Sequence, residues 1–270
     1  SLHDALPIWL NKMAEALDDY DKAIELNPRY AKAYENRGKA YSALGNESRS
    51  SADLERAAKI NRSNKGGDKS IEEALALKQK GEYNSAMEVL NQAAELYPDN
   101  EFIFVNRGNI YNDNFRDYEA AIADYNKSLE INPKFSWAYH NRALAYGRLK
   151  RWDEAIADYG RALEIDQNYA SAYNGRAWSY CKIGEYEAAV IDADRALKLM
   201  PNEANYLDTR AEAYIGLKRY DEALADLTKA IKLLPEGWLY NNRGKLYRLM
   251  GDETKAQADF AKARKPGYVD

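Results

Sequence analysis

Residues 136–168 read SWAYHNRALAYGRLKRWDEAIADYGRALEIDQN, and residues 170–202 read ASAYNGRAWSYCKIGEYEAAVIDADRALKLMPN. Laid one over the other, the two stretches share Ala-Tyr, an Arg, a Tyr and an Ala-Leu at equal offsets. Residues 204–236 follow the same template. Self-similarity at a fixed period of this length marks a repeat array, in which each unit buries its apolar face against the next. Within 136–149 the apolar and small positions Ala138, Tyr139, Ala143, Tyr146 and Leu149 have helical spacing, not the alternation of a strand. Lys150-Arg151 interrupts the pattern, and it resumes from Trp152 to Ile165. Each unit therefore predicts two helices.

Working outward, repeat starts fall at Ala31, Gly67, Glu101, Ser136, Ala170, Ala204 and Gly237. A partial repeat covers 1–30, a degenerate one 31–64, and six more cover 67–270. Gly45, Gly81, Gly184 and Gly251 occupy the break between the two helices, where a turn needs a permissive residue. Pro28, Pro98, Pro133, Pro201 and Pro235 close their units and stop the second helix. Small residues recur in columns, among them Ala155, Ala189 and Ala223, and Ala162, Ala196 and Ala230. They let facing helices approach closely while larger neighbours interlock.

These columns resemble the tetratricopeptide repeat family, best seen in Tyr139, Arg142-Ala143, Tyr146, Ala155, Tyr159 and Ala162. Over about residues 9–265 the resemblance implies an all-α solenoid of helix-turn-helix repeats wound as a right-handed superhelix. It also implies a concave channel, lined by the first helices, that holds an extended peptide or a partner helix. The non-core first-helix positions that correspond are Phe102, Val105, Asn109, Trp137, His140, Leu144, Arg148, Asn174, Trp178, Lys182, Asp208, Glu212, Trp238, Asn241 and Lys245. Trp and Arg at such positions are the residue types that dominate binding energy. Phe102, Asn109, Trp137, His140, Arg148, Asn174, Trp178, Lys182, Asn241 and Lys245 form the expected peptide-binding groove. Family members that assist chaperones grip a C-terminal carboxylate with Lys and Asn side chains on three successive first helices. Here Asn109 and Asn141 match the two Asn, but Val105, Ser171 and Gly175 replace the cations, so that ligand is not expected.

Arg37, Arg107, Arg142, Arg176, Arg210 and Arg243 share one first-helix column, and Asp53, Asp124, Asp158, Asp192, Asp226 and Asp259 share one second-helix column. The unit at Gly67 has Glu73 and Val89 instead and lacks both. Two columns that come and go together predict an Arg–Asp ladder. Irregular spots predict mobility: Lys65-Gly66-Gly67, with Arg62 in place of a closing proline, reads as a flexible joint open to proteases near 61–69. One extra residue between Asn112 and Asp117 reads as a looser loop. Ser1–Ile8, SLHDALPI, departs from the template and resembles a translated sequencing adapter, so the natural N-terminus is expected to lie elsewhere. At the other end, the last helix is expected to stop near Lys265-Pro266-Gly267.

The 270 residues carry 39 Lys and Arg against 43 Asp and Glu, a net charge of −4. That near balance argues against a basic nucleic-acid face. Cys181 stands alone and there are two histidines, so neither a disulfide framework nor a histidine-rich metal site is expected. Few His and Cys leave no readable nucleophile-and-base constellation. Lys65-Gly66-Gly67-Asp68-Lys69-Ser70 lacks the spacing of a phosphate loop. No apolar run reaches the length of a membrane helix, and no signal peptide is readable. The expected protein is a non-catalytic interaction scaffold, cytoplasmic, without cofactor or metal, taking a protein or peptide ligand and neither nucleic acid nor membrane. The alternative is the regulatory or targeting arm of a larger enzyme. Of 22 tyrosines, 17 lie in four repeat columns, which assigns the tyrosine excess to the scaffold.

Overall fold

The structure, a computed structural model, describes residues 2–264, with side chains from Lys12 onward. The expected stop at Lys265-Pro266-Gly267 lies outside the described residues. Fourteen α-helices and no strand are found among the described residues, the all-α class of a helical-repeat solenoid. Two compact units divide the chain, Ser1–Ala138 and Tyr139–Asp270.

The first unit holds α1 (Leu2–Leu26), α2 (Ala31–Ala43), α3 (Glu47–Gln79), α4 (Tyr83–Leu96), α5 (Glu101–Ile110) and α6 (Tyr118–Ile131). α1 runs without a break through Pro7. α3 overturns the expected joint. It is one helix of 33 residues, and Lys65-Gly66-Gly67 lies in its interior. The two glycines serve close approach, not bending. A Cβ on Gly66 would sit 2.2 Å from the Tyr97 ring, and one on Gly67 would sit 2.1 Å from Asn100 Nδ2. Asn100 is fully buried; its Nδ2 donates to Ser63 O at 3.2 Å, and its Oδ1 caps α5 by accepting from Phe102 N at 3.0 Å. A buried polar network covers the same stretch of α3. Arg29 Nε pairs with Glu101 Oε2 at 2.7 Å, Asn132 Nδ2 donates to Glu101 Oε1 at 3.0 Å, and Ser63 Oγ donates to Asp99 Oδ1 at 2.8 Å.

The extra residue near Asn112 is likewise not a loose loop. Tyr111–Phe115 form a π-helical turn that continues α5, and Arg116 ends it in the left-handed region at φ 55°. A π turn absorbs one inserted residue without leaving the helix. Lys150 and Lys218 take the same left-handed conformation, at φ 59° and 60°, at the breaks where other units have glycine.

The second unit opens within α7 (Ser136–Arg148) and continues through α8 (Trp152–Ile165), α9 (Ala170–Ile183), α10 (Tyr186–Leu199), α11 (Ala204–Gly216), α12 (Tyr220–Leu233), α13 (Gly237–Leu249) and α14 (Glu253–Ala263). The small columns are its packing surfaces: Ala155, Ala162, Ala189, Ala196, Ala223, Ala230 and Ala256 are all fully buried. Tyrosine rings fill the space left by glycine, as Tyr159 does over Gly175 and Tyr186 over Gly216.

All six Arg–Asp pairs form, each inside its own helical hairpin. In every rung Arg Nε donates to one carboxylate oxygen and Nη2 to the other, at 2.6–3.0 Å. The six Asp are 3–7% exposed. Burial pushes the Asp124 and Asp158 carboxyls up, while their arginines pull them back down. From Arg37, Arg107, Arg210 and Arg243, Nη1 also reaches the second helix of the preceding repeat, at Asp21, Asn91, Asp194 and Thr228 respectively. The guanidiniums lie over aromatic rings one turn away, at 5.4–5.9 Å from Tyr34, Tyr41, Phe104, Tyr139, Tyr146, Tyr173, Tyr214, Tyr240 and Tyr247. Two of the tyrosine columns therefore flank the ladder, with favourable cation–π geometry.

Candidate peptide-binding groove

Helices α7, α9, α11 and α13 are the first helices of the four hairpins of the second unit. Between them lies a cavity of about 790 Å³, lined by Leu144, Gly147, Arg148, Tyr159, Asn174, Gly175, Trp178, Asn205, Asp208, Thr209 and Trp238. Trp178 is 36% exposed and stands edge-on to Trp152, with ring centres 5.2 Å apart. Gly147 lies beside this pair; a Cβ there would come within 3.6 Å of both indoles. Tyr159 reaches the cavity from α8 because Gly175 has no side chain to block its ring.

The polar groups of the cavity differ in how far they are satisfied. Thr209 Oγ1 donates back to Asn205 O at 3.0 Å. Asn174 Oδ1 is buried with no hydrogen-bond partner among the described residues. Asp208 accepts from Asn242 Nδ2 at 2.9 Å. Burial pushes its carboxyl up to about 6, helped by the charge of Glu212 and opposed by Asn242, Lys182 and Lys245. Lys182 Nζ bonds Glu212 Oε1 at 2.6 Å and lies 5.0 Å from the Trp178 ring centre. Asp208 also borders a second cavity of about 280 Å³, together with Glu212, Asn242, Lys245, Leu246 and Leu249.

Of the residues expected on the groove, Arg148, Asn174 and Trp178 line the larger cavity. Leu144, Asp208 and Trp238 line it as well. Lys245 lines the smaller one, and Lys182 links α9 to α11 through Glu212. Asn241 is half-buried on α13 and borders neither cavity. His140 is half-buried, its ring 4.8 Å from that of Tyr169 and 5.5 Å from that of Tyr159. Burial lowers its pKa to about 4, so it packs as a neutral ring. In the first unit Phe102 and Trp137 both pack edge-on to Phe135, at 5.0 and 5.9 Å. Phe102 borders a cavity of about 320 Å³ beside Arg29, Glu101 and Lys134. Asn109 accepts from the Tyr125 hydroxyl at 2.8 Å. Val105, expected off the core, is fully buried. Sequence reasoning missed Tyr159, which comes from a second helix, and Gly147 and Gly175, whose contribution is the absence of a side chain.

Among the described residues no group of three or more His, Cys, Asp or Glu could hold a metal ion, and no helix is long and apolar enough to cross a membrane. Burial pushes the Cys181 thiol up to about 12, which keeps it protonated at neutral pH.

Several solved structures share the fold. One is a tetratricopeptide repeat protein from Parabacteroides merdae, 23% identical, with a TM-score of 0.63 over 89% of this chain and 94% of that one. A second is PilW, described as a widely conserved type IV pilus biogenesis factor, 19% identical, with a TM-score of 0.67 over 73% of this chain and 91% of that one. A third is YrrB, described as a TPR protein with an unusual peptide-binding site, 21% identical, with a TM-score of 0.53 over 66% of this chain and 91% of that one. Among curated proteins no sequence matches the chain. Tetratricopeptide repeat models match residues 31–64, 72–100, 136–169, 170–203, 204–236 and 239–263, and a TPR repeat model matches 10–45 and 117–150. With repeat after repeat matched along most of its length, the chain belongs to the tetratricopeptide repeat family.

Proposed function

We propose that this chain is a non-catalytic protein-interaction scaffold, cytoplasmic, that holds an extended segment of a partner protein between α7, α9, α11 and α13. The observation that carries this reading is the composition of the 790 Å³ cavity. It combines the exposed indole of Trp178, the Trp238 ring and the cationic Arg148 with a buried Asn174 oxygen that has no partner among the described residues. Aromatic residues and Arg in a concave, partly dry setting are what binding hot spots favour. An unpaired buried acceptor gains a full hydrogen bond when a donor such as a peptide N–H arrives. The volume lies within the ~300–1,000 Å³ usual for ligand sites.

Selection of a phage-displayed random dodecapeptide library on the intact chain tests this. Peptides recovered on the wild type should be lost on a Trp178→Ala, Arg148→Ala double variant whose helical circular dichroism is unchanged. Equal recovery on both proteins removes the groove assignment. A nucleic-acid ligand is not part of the proposal, because the net charge of −4 gives no excess of phosphate contacts.

A further inference from the structure

The larger cavity has a single acidic and a single basic residue among those that line it, Asp208 and Arg148. They lie on different helices, α11 and α7, with α9 between them in the stack. Asp208 is held by one neutral donor, the Asn242 amide. Two cations, Lys182 and Lys245, act on it through space without bonding it. Lys182 on α9 is bonded to Glu212, one turn further along α11, and Lys245 on α13 borders the smaller cavity, which Asp208 borders too. A half-buried carboxylate whose one hydrogen-bond donor is neutral lacks the direct ion pair that such groups ordinarily acquire. Beside it in the same cavity stand two indoles; Lys182 already lies 5.0 Å from the Trp178 ring centre, and the face of Trp238 attracts a further cation. A Lys or Arg side chain satisfies both features at once, because its stem is apolar and its head is charged. An acidic side chain at this end would meet Asp208 and, behind it, Glu212.

We infer, on the groove reading above, that this end of the cavity takes a Lys or Arg side chain of the bound segment, its cation on Asp208 and its stem along Trp178 and Trp238. The partner class is therefore a protein with an exposed, extended stretch carrying a basic residue. The other end of the same cavity presents Arg148, so the segment is read in one direction, with its basic residue on the α11–α13 side.

Peptides selected from the dodecapeptide library should carry Lys or Arg at one shared position. The best Lys peptide and its Lys→Gln form, fluorescein-labelled, are then titrated by anisotropy against the wild type and Asp208→Asn. Loss of one partner of a desolvated charge pair is costly, so Lys→Gln should weaken binding about tenfold or more on the wild type and less than about twofold on Asp208→Asn. A second measurement needs no variant: carbodiimide coupling of the bound Lys peptide to the wild type, mapped by mass spectrometry, should join the lysine amine to Asp208. Selected peptides without a basic residue, an equal effect of Lys→Gln on both proteins, or coupling at another carboxylate would each overturn the inference while leaving the groove reading intact. Failure to select any peptide would overturn both.

Discussion

The ladder rung Arg176–Asp192 predicts a large cost for breaking it and a small cost for deleting it. Arg176 Nε donates to Asp192 Oδ2 at 2.6 Å and Nη2 to Oδ1 at 2.9 Å. The side chains are 23% and 6% exposed. Removing one member of a buried pair leaves the other charge uncompensated, which costs about 3–5 kcal/mol in fully buried cases. The partial exposure of Arg176 reduces this, so Arg176→Met and Asp192→Val should each cost about 2–4 kcal/mol. The double variant removes both charges and both desolvation penalties, and should lie within about 1 kcal/mol of the wild type. Val is chosen because Val89 stands in this column in the one hairpin without a rung, so the hairpin geometry accepts it. Urea unfolding followed by circular dichroism, compared at constant slope, gives the three differences. A single substitution costing under about 1 kcal/mol, or a double variant costing the sum of the singles, would refute the reasoning that the rung fixes hairpin register more than it stabilises.

Three further outcomes are expected. Gly67→Ala should destabilise by about 1–3 kcal/mol, because the new methyl displaces the Asn100 amide that caps α5. Gly160→Ala, also inside a helix, should stabilise by about 0.5–1 kcal/mol, since the nearest atom to its Cβ is Arg176 Nη1 at 3.7 Å; thermal unfolding of the pair checks the opposite signs. Trypsin should not cut first at Arg62 or Lys65, and early cleavage there would contradict a continuous α3. Asp208→Asn should stabilise the chain at neutral pH. The carboxyl sits at about 6 against an ordinary 3.8, which corresponds to about 2–3 kcal/mol at ~1.4 kcal/mol per tenfold change in proton affinity. A raised carboxyl penalises the fold in full above pH 6 and not at all below the unfolded value, so the gain should fade between those limits and vanish near pH 4. A gain that persists at pH 4 would show that the charge is not its source.

The repeats and the ladder were legible because duplication wrote each requirement several times. Arg and Asp appear together in six hairpins and vanish together in the seventh, which is what a contact would require. The Tyr–Arg stacking was written just as plainly, in the spacing of Tyr139, Arg142 and Tyr146, yet the periodicity only marked these tyrosines as scaffold. What could not be read was decided by tertiary neighbours. Gly66 and Gly67 have low helix propensity and suggest a break, but the Tyr97 ring and the Asn100 amide need the space of their missing side chains. The extra residue near Asn112 has no local mark distinguishing a π turn from a loop. His140 sits at a groove position by register, and only the rings of Tyr159 and Tyr169 withdraw it. In the groove, Trp178, Arg148 and Asn174 declared themselves by residue type, whereas Gly147 and Gly175 act through open space that no pattern displays.

The distribution of satisfied and unsatisfied groups separates scaffold from working surface. Every ladder aspartate is held by two charged hydrogen bonds, and its arginine is stacked on at least one ring, so these charges have little left to offer a ligand. In the cavity the pattern reverses. Asn174 keeps a buried oxygen without a partner among the described residues, and Asp208 keeps a half-buried carboxylate bonded only by a neutral amide. Both arrangements weaken the free protein, and a fold selected for stability alone would fill them at little cost. Aspartate is paired with arginine six times over in this chain, so the means to pair Asp208 were at hand. A segment with a backbone donor for Asn174 and a cation for Asp208 would satisfy both groups in one binding event. Stability lost by the free chain would then return as affinity for its partner.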